Sequence, residues 1–157
     1  MFKVGDNIVY PMYGAGTINE ISEREVMGEM RKYYMLYLPH IKMDVMIPVA
    51  NSDAIGVRSV ISKGDITSVL EVLHAESEPM PENWNKRFRD NTDKLKSGDI
   101  HIVAGVVRNL VRSDRIKKLS TGEKKLLGNA KQILESELML SGGFSKEQAQ
   151  ELVENNI

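Results

Sequence analysis

Along the first third of the chain, short runs rich in β-branched and aromatic residues are separated by glycines and prolines. Along the rest, apolar positions recur every three to four residues. "DNIVY" is rich in β-branched and aromatic residues and follows the turn pair Gly5-Asp6. "YGAGTINEI" restarts after Pro11, with Gly14 and Gly16 supplying a bend. "MGEM" puts Gly28 between two extended segments, as a hairpin requires. "RKYYMLYLP" stops at Pro39 and "MDVMIPV" reaches Pro48. Short strands with turn signals roughly every 8–12 residues predict a small barrel or sandwich of four or five strands. About 55 residues bury only a thin core, so this β module is expected to lean on the rest of the chain or on a partner.

The period then changes. "SKGDITSVLEVLHAE" places Ile66, Val69, Leu70 and Leu73 on one helical face. "ESEPMPEN" has two prolines and three acids and reads as a linker. A helix is predicted after it, with Asn83 as cap and Trp84 in the first helical position, stopping at Gly98. Asp99 can cap the next helix, whose apolar face runs Ile100, Val103, Val107, Leu110 and Val111. "STGE" has the spacing of a capping box, Ser120 to Glu123, before Leu126, Leu127, Ala130, Ile133, Leu134 and Leu138. Gly142 and Gly143 end that helix, and Ser145 caps a last one. The expected fold is α+β: a β module over residues 1–56 and an all-helical module of about five helices over 60–157.

Net charge is −1 over 157 residues, but the charge is partitioned. Residues 1–56 carry 5 basic and 7 acidic groups. Residues 84–131 carry 13 basic and 5 acidic groups, a net of +8. Residues 132–157 carry 1 basic and 5 acidic groups. Such a block attracts polyanions and is an electrostatic signature of nucleic-acid binding. It is also what a pair of solvated helix faces would give. His101, Arg108, Arg112 and Arg115 fall along one helical stripe, and Lys124, Lys125 and Lys131 share the next helix. Both sets suit phosphate contacts.

Candidate chemistry is otherwise sparse. The chain has no cysteine, which excludes disulfides and thiolate-bound zinc. His40, His74 and His101 lie in different elements without a metal-ligand pattern. No phosphate-binding glycine loop or nucleophile elbow is present, and Glu135 and Glu137, two apart on a helix, do not face each other. No cofactor, metal or small-molecule substrate is expected. No run approaches the roughly 20 apolar residues of a membrane span, and the start lacks a secretory signal pattern, so the expected location is the cytoplasm.

The single tryptophan stands in "PENWNKRFRDN", beside Lys86, Arg87 and Arg89. Phe88 at i+4 and Leu95 at i+11 would let Trp84 share a buried face. Its place in a first turn among cations also fits a side chain that unstacks a base step in the minor groove or stacks on a single-stranded base. Spacing leaves both readings open.

"MFKVGDNIVYPMYGAGTI" resembles the opening of the CarD family of bacterial transcription regulators, also called CdnL proteins. Transcription-repair coupling factors share this opening in their RNA-polymerase-interacting domain. The likeness continues in order through "IPVAN", "IGVRSVI", "PENWNKRF", "LKSGD", "VVRNLVRSD", "LSTGEKKLL" and "AKQILESEL". It implies a Tudor-like β module on the RNA polymerase β subunit. It also implies a helical module touching promoter DNA at the upstream edge of the bubble, with Trp84 as a wedge. Under the resemblance, Arg87, Arg89 and Lys124 match basic positions of the family, and Arg24 falls at the polymerase surface. Met46, just before "IP", occupies a second polymerase position where relatives carry Arg. The expected DNA-contacting set is Trp84, Lys86, Arg87, Arg89, Arg112, Lys124 and Lys125, and the expected polymerase-contacting set is Arg24 and Met46. The expected function is a transcription regulator, not an enzyme, that modulates open promoter complexes. The rival readings are a polymerase adaptor with Trp84 buried, and a small enzyme built around His74 or His101.

Overall fold

In the computed structural model, which describes all 157 residues, the short β-branched and aromatic segments pair into one antiparallel sheet. Its strands are β1 (Asn7–Tyr10), β2 (Gly14–Val26), β3 (Glu29–Leu38), β4 (Met43–Pro48) and β5 (Arg58–Ser59), in the order β4-β3-β2-β1-β5. The β2–β3 hairpin turns at Met27 and Gly28, both with positive φ (53° and 81°), the two-residue geometry that matches strand twist. Ile8, Ile18, Tyr34, Leu36, Leu38 and Ile47 fill the inner face. The two-residue β5, paired with Ile8 and Val9, lies past the boundary at residue 56. Two residues carry no readable alternation. Before it, the one-turn helix α1 (Ser52–Ile55) closes on Gly56 at φ 90°.

The helical part has five further helices: α2 (Ile66–His74), α3 (Trp84–Lys96), α4 (Ile100–Ile116), α5 (Thr121–Gly142) and α6 (Lys146–Asn155). Their starts follow the expected caps. Asn83, Asp99, Ser120 and Ser145 each accept a backbone N–H of the following turn. Ile100, Val103, Val107, Leu110 and Val111 of α4 pack with Leu126, Leu127, Ala130, Ile133, Leu134 and Leu138 of α5 in one core. Helix α4 is buried nearly all round from Val103 to Val111, including Arg108 and Asn109. An amphipathic surface helix would keep those two in solvent, so α4 is the central helix of the module.

The sheet and the helices are packed together through α5. Gly14, Ala15 and Gly16 of β2 lie against that helix and β3. A Cβ at Gly14 would meet Ser136 Oγ at 2.7 Å and His40 Cε1 at 2.8 Å, and one at Gly16 would collide with the Tyr37 carbonyl. The two glycines therefore serve close approach rather than a bend alone. Ser136 Oγ accepts from the Ala15 amide (2.9 Å) and donates to the Ile133 carbonyl (2.6 Å). Glu137, 3% exposed, takes both Arg58 guanidinium nitrogens at 2.7 Å and the Ile61 amide at 2.9 Å. Arg58 Nε also donates to the Gly98 carbonyl at 2.8 Å, which ties β5 to the α3–α4 junction. A two-residue strand is thus held by one charged fork reaching into the helical core.

His40 sits at the same seam. Its Nε2 lies 3.0 Å from the Tyr13 carbonyl, which can only accept, so the proton is on Nε2 and the buried Nδ1 has no partner. Burial pushes the imidazole below its ordinary 6.5, against the Tyr13 bond and with the nearby Lys146 charge. Helix α5 adds two carboxylates shifted in opposite senses. The bond from Arg87 holds Glu123 below its ordinary 4.5, whereas burial raises Glu135.

Two outcomes follow for stability. As pH falls below about 6.5, the unfolded chain takes up the His40 proton before the folded one, so stability drops. Below about 4.5 the unfolded Glu123 does the same, whereas Glu135 acts above 4.5, where the folded state takes up its proton first and is stabilised. Thermal midpoints should therefore fall between pH 7 and 5.5, and His40→Gln should flatten that slope. A slope that is unchanged in the variant would assign it to other groups. Second, Arg58→Ala strands a buried carboxylate and should cost about 3 kcal/mol, whereas Arg58→Met with Glu137→Leu should recover most of it in chemical denaturation.

Candidate nucleic-acid interface

Trp84 stands at the start of α3, which Asn83 caps by accepting from the Lys86 amide at 3.0 Å. It is neither core nor free surface. The residue is 45% exposed, and its ring stacks on Phe88 with centroids 5.6 Å apart and planes 18° from parallel. Its indole Nε1 donates to Ser120 Oγ, the cap of α5, at 2.8 Å. Two helix starts are thus joined by one indole N–H. Leu95, the other apolar residue on this helix's stripe, is fully buried three turns on.

The same two helices, α3 and α5, are also joined by an ion pair. Arg87 Nε and Nη2 bond both oxygens of Glu123 at 2.7 and 2.8 Å, and Nη1 donates to the Pro81 and Glu82 carbonyls. Glu123 is 1% exposed. The reciprocal half of the expected capping box is replaced, because the Glu123 carboxylate goes to Arg87 instead of back to the Ser120 amide. Arg87 is therefore engaged inside the protein, with its side chain 21% exposed, which weighs against the phosphate contact expected of it.

Arg112 is engaged within the fold as well. Its Nη1 donates to the Ala75 carbonyl at 2.6 Å and its Nη2 to the Leu73 carbonyl at 3.2 Å, closing the C-terminal end of α2. Arg108, 3% exposed, donates to the Val72 carbonyl and to Glu78. His101, Arg108 and Arg112 of the α4 stripe thus face α2 and the linker, whereas Arg115 is exposed and lies 3.9 Å from Glu154 of α6. Helical period alone cannot tell an arginine that caps carbonyls from one that waits for phosphate. Lys131 pairs with Glu154 of α6 at 3.1 Å.

The remaining cations around Trp84 are exposed: Lys86 and Arg89 on α3, Lys124 and Lys125 on α5. Lys117 and Lys118, in the connection that ends at Ser120, join them and were missed by helical spacing because they lie off the helices. The doublet before the cap was the available signal. None of these six forms an ion pair within 4.0 Å. The site is a half-exposed indole at two helix starts, on elements that also carry exposed, unpaired cations.

The sheet presents a different surface. Register sets Arg24 opposite Arg31 and Met46 opposite Met35. Alternation along β3 then puts Arg24 and Met46 on the same face, away from the buried Tyr34, Leu36 and Leu38. Both are exposed, and Met46 is 41% so. Two arginines directly across a ladder repel, which an acidic partner would relieve.

The histidine-centred alternative meets a geometric obstacle. His101 Nε2 lies 2.8 Å from Ser68 Oγ and Nδ1 lies 3.4 Å from Asp99 Oδ1, beside a groove of about 430 Å³. The Ser68 hydroxyl donates its single proton to the Asp65 carbonyl at 2.7 Å, so it is not aimed at the imidazole as a nucleophile's would be. Asp99 is occupied as the cap of α4. His74 is exposed at the end of α2. No three metal-ligating side chains converge, and no helix is long and apolar enough to cross a membrane.

A five-stranded polymerase-interacting type of β domain followed by a helical domain defines the class of CarD-like transcription factors. The CarD-like/TRCF RID domain matches residues 2–61, and the CarD C-terminal domain matches residues 68–154. The chain belongs to the CarD-like family, and its β domain is of the Tudor-like type found in that family. It is 40% identical over 149 residues to a Bacillus subtilis (strain 168) protein named "Putative transcription factor YdeB". That match covers 94% of this chain and 97% of the relative.

The two arginines flanking Phe88 should behave oppositely. Arg87→Ala leaves Glu123 buried and unpaired and should cost about 3 kcal/mol, the low end for such pairs because the Arg87 side chain is 21% exposed. Arg89→Ala should move stability by no more than about 0.5 kcal/mol. Urea denaturation of both variants checks this, and equal stabilities would remove the pair from the fold's essentials.

Proposed function

We propose that this protein docks its sheet, through Arg24 and the Met46 face, on the RNA polymerase β subunit. Its helical module lies over promoter DNA at the upstream edge of the bubble. There Trp84 enters the minor groove as a wedge and slows re-annealing, while Lys86, Arg89, Lys124 and Lys125 hold phosphates. The observation that supports this best is the half-exposed indole at two helix starts whose elements carry exposed, unpaired lysines and Arg89. An apolar wedge lowers the cost of a kinked step, and cations around it supply backbone contacts that carry no sequence information. Intrinsic DNA affinity is weak, because attachment to polymerase supplies the effective concentration. The division of labour is that the sheet, extended to β5, carries the polymerase contact and the helices carry the DNA contact.

Trp84→Ala tests the wedge. Losing one aromatic pair and one hydrogen bond should cost about 2 kcal/mol, roughly 4–8 °C in midpoint for a chain of this size. Polymerase pull-down should be retained, and the open-complex half-life should fall. Trp84→Phe should restore part of that half-life. An unchanged half-life in the Ala variant would leave an adaptor that touches polymerase and not DNA. In the same assay, neutralising Lys86, Arg89 or Lys124 singly should lower the salt slope of DNA binding by about 1. Neutralising Arg87 should change stability and leave the slope alone.

A further inference from the structure

We infer that Ser120 is a positioning residue: its hydroxyl fixes which edge of the Trp84 indole is offered to DNA. This rests on the wedge reading above and adds to it a residue that touches no DNA itself. Three observations carry it. The Trp84 Nε1–H to Ser120 Oγ bond, at 2.8 Å, is shorter than the capping bond Ser120 Oγ receives from the Glu123 amide, at 3.3 Å. Capping α5 therefore does not exhaust this hydroxyl. Second, Trp84 Cζ2, on the same indole edge as Nε1, lies 3.6 Å from where a Gly122 Cβ would stand. The Nε1–Cζ2 edge thus faces the start of α5, and the opposite edge leads outward. Third, the hydroxyl is itself held, because Ser120 Oγ lies 3.4 Å from Glu123 Oε1 and Arg87 fixes that carboxylate bidentately.

Stacking on Phe88 does not by itself orient the indole. A ring turned over by half a turn about χ2 could still lie flat on Phe88, since that torsion is broad and roughly two-fold. The Nε1 bond is the one polar contact that distinguishes the two edges. In this chain the order of dependence runs from Arg87 to Glu123 to Ser120 to Trp84. The cations around the site would be unaffected by its loss, so overall DNA attraction and wedge geometry separate.

The test uses the full chain and its single tryptophan. Ser120→Gly removes the hydroxyl and keeps a residue that caps nearly as well, within a few tenths of a kcal/mol. Ser120→Thr keeps the hydroxyl. In free protein, time-resolved fluorescence anisotropy of Trp84 should gain a fast depolarising component in Ser120→Gly and not in Ser120→Thr. With polymerase and promoter, the open-complex half-life should fall roughly 3–10-fold in Ser120→Gly, the worth of one hydrogen bond, with the salt slope unchanged. In a Trp84→Phe background, which lacks the indole N–H, Ser120→Gly should add no further loss. An equal loss in both backgrounds would make Ser120 merely structural and overturn the inference. So would anisotropy decays that do not differ between the Gly and Thr variants. If Trp84→Ala leaves the half-life untouched, the wedge reading fails, and the anisotropy comparison alone then decides whether Ser120 orients the ring.

Discussion

Helix α5 buries three carboxylates, Glu123, Glu135 and Glu137, and two of them are gripped by a guanidinium from elsewhere in the chain. Glu123 is answered by Arg87 of α3, and Glu137 by Arg58 of β5. A buried carboxylate without its cation is expensive, so neither arginine is optional once α5 is packed. These two forks dictate much else. The first brings the start of α3 against the start of α5 and so places Trp84 over Ser120. The second pulls the last strand of the sheet onto the helical core. Whether such pairs stabilise more than apolar substitutes would is a separate matter from what they specify, which is register between elements.

The same constraint sorts the basic residues. Thirteen lysines and arginines lie between residues 84 and 131, and they divide by use. Arg87, Arg108 and Arg112 are consumed by carboxylates and carbonyls inside the protein. Arg115 and Lys131 face Glu154 of α6, and the other lysines and Arg89 lie outside without an ion pair. Arginine suits internal forks because its planar donors meet two acceptors at once, and lysine, a hydrated point charge, stays in solvent. Glu78 and Glu154, outside that block, face Arg108, Arg115 and Lys131, so its net charge of +8 overstates what a polyanion would meet.

Much of the fold was legible because local chemistry and tertiary need agree. The caps Asn83, Asp99, Ser120 and Ser145, the stops at Gly98 and Gly143, and the apolar stripes of α4 and α5 all read directly from residue spacing. Strand β5 did not, since Arg58 and Ser59 are set by pairing with β1 and by Glu137, seventy-odd positions away. Residues of the candidate site were legible in type and only partly in role. Trp84 looked like either core or wedge because spacing reports neighbours on its own helix and is blind to Ser120 on another. Arg87 and Arg89 looked alike for the same reason, and only the partner across the fold distinguishes them.

Helix α5 also acts as a strut of fixed length. Its first turn holds the indole through Ser120, and its Ser136–Glu137 segment holds the sheet through Ala15 and Arg58. Sixteen residues separate those grips, about 24 Å at 1.5 Å per residue. A straight helix cannot stretch to absorb an error, so the indole's offset from the sheet is set like the gap of a caliper. Adding or deleting one residue inside the span would shift the tip by only about 1.5 Å but rotate it by about 100° about the helix axis. The span is thus far less tolerant in angle than in length, and drift in this family should change the side chains along α5 much more readily than their number.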